Sequence, residues 1–221
     1  MAAHLDLEEQ EQLDELKHFW KTYGNLISWA LILVLGAYAA WNGWTYWQRS
    51  QATKAAALYD EVERAVTGQD MARIERSMAD MKDKFGGTQQ AHQAALMVAR
   101  SLAEKGQIPQ AKTWLAWVAE QAAVPALRDI ARTRLAALQW DAGSVDEALK
   151  TLQADFAPET APLAADLRGD LLMAKGQQGE AVSAYQKALQ GMDPGSEYRR
   201  VLQAKLAVLG VAEETPSGKR P

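Results

Sequence analysis

Two carboxylates, Asp166 and Asp170, stand four residues apart and would share one face of a helix, the spacing at which paired acids can do general acid–base work. Arg168 and Gly169 lie between them, and in a repeat helix that grouping reads as a solvated or groove-lining face. His4, His18 and His92 are far apart in sequence, and no H-E-x-x-H pair accompanies them, so a histidine metal site has little support. The chain has no cysteine, which removes disulfide frameworks, thiol nucleophiles, iron–sulfur clusters and Cys-type zinc sites but leaves an oxidising compartment open. No P-loop, G-x-G-x-x-G or G-x-S-x-G is present. The sequence therefore predicts a protein that is not an enzyme and takes no cofactor or metal.

The elements that carry these residues begin with a membrane segment. Between Lys21 and Arg49 lie 27 uncharged residues. As a helix they reach about 40 Å, against a hydrocarbon core of about 30 Å. Of the 8 tryptophans, Trp20, Trp29, Trp41, Trp44 and Trp47 fall within residues 20–47, with Trp20 and Tyr23 at one end and Trp41, Trp44, Tyr46 and Trp47 at the other. Such paired belts are what two bilayer interfaces select. The preceding arm is acidic and no small-x-small cleavage pattern follows, so the segment reads as a retained anchor rather than a signal peptide. Lys17 and Lys21 on one side balance Arg49 and Lys54 on the other, a tie that leaves orientation open. Gly24/Ser28, Gly36/Ala40 and Ala39/Gly43 are small-xxx-small pairs of the kind an Ala/Gly-rich helix carries by chance.

The formal net charge of −4 belongs entirely to residues 1–21, with Asp6, Glu8, Glu9, Glu11, Asp14 and Glu15 against Lys17 and Lys21. The remainder is neutral and has no basic stripe for phosphates, which argues against nucleic-acid binding. Leu13, Leu16 and Trp20 give the arm helical spacing, consistent with a short amphipathic helix or a tail with one helical turn.

After Arg49 the chain is Ala-, Leu- and Gln-rich with apolar positions three and four apart, which predicts helix throughout. Three segments place a Gly five residues before an Ala: Gly106 and Ala111, Gly143 and Ala148, Gly176 and Ala181. Each glycine sits where a helix must stop and turn, a place suited to a left-handed residue. Gly169, Leu172, Gly176, Ala181, Tyr185 and Ala188 follow the small, large, Gly, Ala, aromatic, Ala order of a tetratricopeptide repeat, and the two earlier segments echo it. A fourth, degenerate pair surrounds Gly68. Helices are expected near 8–21, 24–66, 70–85, 89–105, 108–121, 125–141, 145–155, 160–175, 178–190 and 195–208. The fold expected is all-α: one N-terminal transmembrane helix followed by a tetratricopeptide-like helical solenoid.

Binding is the ordinary use of such a solenoid, whose stacked first helices form a concave surface. In this register the groove-facing positions include Gln93, Arg100, Thr133, Trp140, Asp166, Asp170 and Met173. The set lacks the Lys/Asn cluster that clamps a partner's C-terminal carboxylate. Trp140 either anchors an apolar segment in the groove or closes the core at its helix end. Trp114 and Trp117 read as core packing.

The layout resembles the YfgM-like ancillary subunits of the bacterial Sec translocon. The likeness rests on Gln12-x-x-x-Leu16-Lys17-x-Phe19-Trp20-Lys21-x-Tyr23-Gly24-Asn25 leading into the anchor with its Trp-x-x-Trp end, and on Ala165-Asp166-Leu167-Arg168-Gly169-Asp170 with the Lys175-Gly176 turn. The resemblance implies a non-enzymatic, single-pass inner-membrane protein with a cytoplasmic N-terminus and a periplasmic repeat domain. It also implies association with SecYEG and the membrane-anchored chaperone PpiD, and help to newly exported proteins. The partition expected is an acidic cytoplasmic arm at 1–23, a transmembrane helix at 24–48, the repeat domain at 49–210 and a disordered tail at 211–221. An envelope-assembly scaffold that never touches clients is the alternative.

Overall fold

The computed structural model describes residues 7–211, with side chains from Leu13 onward. The start of the acidic arm and all but the first residue of the expected tail lie outside them. The described residues form nine α-helices and no strand: α1 (Leu7–Thr67), α2 (Met71–Phe85), α3 (Gln89–Glu104), α4 (Ile108–Gln121), α5 (Pro125–Asp141), α6 (Val145–Thr151), α7 (Ala161–Ala174), α8 (Gln178–Gly191) and α9 (Tyr198–Val208). The chain divides into two compact units, one ending at Gln51 and one beginning at Ala52.

In the first unit, the break expected after residue 21 does not occur, and α1 runs through it. No proline removes a backbone donor there, and the Thr22 hydroxyl donates to the His18 carbonyl at 2.9 Å. Gly24 makes room for the Trp20 indole, since a Cβ at that position would lie 3.2 Å from it. Apart from Gly24 and Thr45, every residue from Leu13 to Arg49 is exposed. So long an apolar surface, uncovered by protein, matches a bilayer rather than a soluble core. The aromatic groups at its two ends are themselves paired, Phe19 with Tyr23 at 5.2 Å and Trp44 with Trp47 at 5.3 Å between ring centroids.

In the second unit, the repeat glycines occupy the conformation their spacing predicts. Gly106, Gly143 and Gly176 have φ of +75°, +81° and +75°. After each, the next N–H donates to the carbonyl five residues back: Gln107 to Leu102 (2.8 Å), Ser144 to Gln139 (2.8 Å) and Gln177 to Leu172 (2.9 Å). These bonds close the helix ends and start the return. The turn after α1 differs, because Gln69 rather than Gly68 takes the left-handed conformation, at φ 55°. Asp70 then caps α2 by accepting from the Arg73 N–H at 3.0 Å.

Ala111, Ala148 and Ala181, the small residues of the pattern, are fully buried. From α2 onward each helix packs on the next, and α3 on α5 and α5 on α7, as in stacked helical pairs. The core runs from Val62 and Met78 through Leu115 and Ala131, then Ala148 and Leu171, to Tyr185 and Leu202.

Two boundaries depart from expectation for identifiable reasons. Helix α6 stops at Thr151 instead of 155. Asp129 of α5, 2% exposed, accepts from the Ala157 N–H at 2.9 Å and from the Thr160 hydroxyl, and Arg132 donates to the Asp155 carbonyl at 3.1 Å. Those bonds hold the segment after α6 out of the helix. Helix α9 starts at Tyr198 rather than 195, because Asp193 Oδ1 accepts the Gly195 N–H at 2.7 Å and closes a turn over Pro194.

Candidate functional site

The seven groove candidates fall on α3, α5 and α7. Gln93 and Arg100 are exposed on α3, and Arg100 donates to Glu104 at 2.8 Å along the same helix. On α5, the Thr133 hydroxyl is spent on the Asp129 carbonyl at 2.8 Å. Trp140 is half-buried and packs against the cluster of Ala136, Ala148, Leu152, Ala164 and Leu171, so part of the indole closes core and part faces outward. On α7, Met173 lines an apolar groove of about 460 Å³ with Tyr185, Val201, Ala204 and Val208.

Asp166 and Asp170 are brought together as their spacing predicts, but not on a solvated face. Asp166 is 5% exposed, and Lys205 of α9 donates to one oxygen of each carboxylate at 2.7 Å. The Tyr198 hydroxyl donates to Asp166 and the Tyr185 hydroxyl to Asp170, both at 2.7 Å. Burial alone would lower the Lys205 pKa, but its hydrogen bonds to Asp166 and Asp170 and their charges raise it above the ordinary value. Burial, then the bond to Asp170, pushes the Tyr185 phenol well above its usual range. The Asp166 hydrogen bond and burial raise Tyr198 as well. Two acids therefore share one ammonium and two phenols, an arrangement that fixes α9 onto α7 and leaves neither acid free for proton transfer.

Sequence reasoning missed Lys205, Tyr198 and Asp129. The first two are seven residues apart on α9 and share a face, a signal that was available. Asp129 gave none, because its partners are 28 and 31 residues away.

At the other end of the repeats, His92 is 1% exposed and its ring lies 4.9 Å from that of Trp117. Its Nε2 has no hydrogen-bond partner, and burial lowers its pKa. Trp117 stacks edge-on with Trp114 at 5.8 Å, and the Lys82 ammonium lies 5.7 and 5.6 Å from the two indoles. Both indoles pack against the core, as their spacing suggests. Among the described residues no three metal-ligating side chains converge.

Comparison with known proteins places this geometry in context. Residues 17–211 match the family described as a tetratricopeptide repeat-like domain. The ancillary SecYEG translocon subunit of Neisseria gonorrhoeae is 31% identical over 210 residues, covering 93% of this chain and 98% of the relative. The subunit of the same name from Haemophilus influenzae is 29% identical, covering 83% of this chain and 90% of its own length. That of Escherichia coli is 26% identical, covering 92% and 97%.

Proposed function

We propose, since this chain belongs to the family of ancillary SecYEG translocon subunits with a tetratricopeptide repeat-like domain, that it is a membrane-anchored adaptor of the Sec translocon. Its N-terminus is cytoplasmic and its repeat domain periplasmic. The repeats hold a PpiD-like membrane-anchored chaperone, newly exported proteins, or both. The single observation that supports this most is the pairing in one chain of an exposed apolar helix with stacked helical pairs whose paired acids are already engaged by Lys205. Such a protein acts by holding and not by turnover.

Gln93, Arg100, Thr133, Trp140, Asp166, Asp170 and Met173 remain the proposed binding positions. Their roles now divide. Gln93, Arg100 and the outward part of Trp140 can touch a partner, Met173 offers apolar contact, and Asp166 and Asp170 act through α9, which they hold in place.

Site-specific photocrosslinking from residues 93–173 in intact membranes tests the reading. Adducts to exported precursors and to the translocon are expected. Adducts to one resident protein, with no precursor among them, would replace the client-holding adaptor by an envelope-assembly scaffold.

A further inference from the structure

Helix α6 has 7 residues where α4 and α8, the second helices of the neighbouring pairs, have 14 each. The turns it lacks leave a recess of about 510 Å³ between the 152–156 segment, α7 and α8. Leu152, Phe156, Ala164, Ala165, Leu172 and Ala184 supply the apolar half of its lining, beside Gln153, Ser183 and four charged side chains. Its wall is braced from α5, because Asp129 and Arg132 hold the backbone at Ala157 and Asp155. The recess is thus built into the fold rather than left by a loose loop.

Two cations and two acids stand around it. Arg168 and Lys187 are exposed cations whose side chains form no hydrogen bond or ion pair among the described residues. Two acids also line the recess, Asp155 and Glu180, and the Glu180 carboxylate accepts from Gln177 at 2.9 Å. On α8, Glu180 and Lys187 are separated by two turns, about 10 Å along the helix. Gly169 meets Tyr185, which sets Arg168 nearer the Lys187 end of α8, so the two cations and Glu180 lie toward different ends.

We propose that this recess docks a short extended segment of a partner protein, with an apolar side chain on the Ala164/Ala184 floor and a neighbouring carboxylate at Arg168 and Lys187. Glu180 at the far end disfavours a second acid there and sets the direction of the segment. This surface is separate from the positions on α3 and α5 assigned above, and it stands whichever partner those hold.

The test uses the full chain in phosphatidylcholine nanodiscs and fluorescence anisotropy with an end-blocked, fluorescein-labelled peptide of alternating Leu and Glu, beside versions carrying Gln or Lys in place of Glu. The Glu peptide is expected to bind about fivefold more tightly than the Gln peptide, the size of two exposed ion pairs, with the Lys peptide weakest. Arg168→Glu with Lys187→Glu should abolish the preference, Arg168→Lys should keep it, and Ser183→Trp, which fills the rim, should weaken all three peptides. Each variant is first shown to melt with the parent. Equal binding of the Glu and Gln peptides would overturn the proposal. So would a preference that survives the double reversal, or binding untouched by Ser183→Trp.

Discussion

Gly169→Ala adds one methyl group at the tightest contact in the repeats. A Cβ at position 169 would lie 2.8 Å from Tyr185 Cζ and closer still to two other atoms of that ring. Tyr185 is 3% exposed and its hydroxyl is bonded to Asp170 at 2.7 Å, so the ring cannot swing aside without giving up a charge-assisted hydrogen bond. Overpacking costs about 1–3 kcal/mol and loss of such a bond about 1.5–3. The better helix propensity of Ala offsets about 1 kcal/mol. The balance is a loss of about 1.5–5 kcal/mol, which for a unit of this size lowers the melting temperature by about 3–20 °C. Circular dichroism melts of the full chain in micelles measure it. In a Tyr185→Leu background the same substitution should cost about 1 kcal/mol or less, because the ring it strikes is gone. A Gly169→Ala protein that melts with or above the parent would refute this packing.

Three further outcomes follow from the same contacts. Burial lowers the His92 pKa below 6.5, so the unfolded chain takes up this proton first; stability is complete above pH 6.5 and falls as the pH drops below it, and His92→Phe should flatten that slope in denaturant midpoints measured from pH 5 to 7.5. Tyr185, Tyr198 and Lys205 are all raised above 10.0, 10.0 and 10.5, so their contribution is whole below pH 10 and is lost as the pH climbs through the raised values; ultraviolet titration of the parent against Tyr185→Phe and Tyr198→Phe should assign each phenol an ionisation above pH 10. Trp140→Ala should cost about 2–3 kcal/mol, less than a fully buried Trp because part of the indole stays exposed, and a folded variant with weakened partner affinity in the same sample would separate its two roles.

The repeat was legible because its signals are local. A left-handed glycine, an alanine five residues later and a glycine opposite an aromatic ring each leave a mark within one helical pair. Gly106, Gly143, Gly176, Ala111, Ala148 and Ala181 all take the conformation or burial those marks imply. What stayed hidden depends on distant partners. Leu152 is buried as a helix would have it, so the apolar period through 152–155 reads as more of α6, yet Asp129 diverts the chain. Asp166 and Asp170 read as a solvated face because Lys205, the cation that bridges them, is 39 and 35 residues away on α9. Register alone also could not divide Trp140 between groove and core, since the indole packs on the core yet keeps part of its surface exposed.

A periplasmic repeat domain is the condition on which every proposed partner contact depends, and the absence of cysteine makes it directly measurable. Single cysteines at Ala3, Ser50 and Ser217 need no background substitutions, and an impermeant maleimide applied to cells with a permeabilised outer membrane reports which of them face the periplasm. Labelling at Ser50→Cys and Ser217→Cys with Ala3→Cys protected until the inner membrane is lysed is the predicted result. Labelling at Ala3→Cys with the other two protected would put the repeats in the cytoplasm and contradict their role with exported proteins.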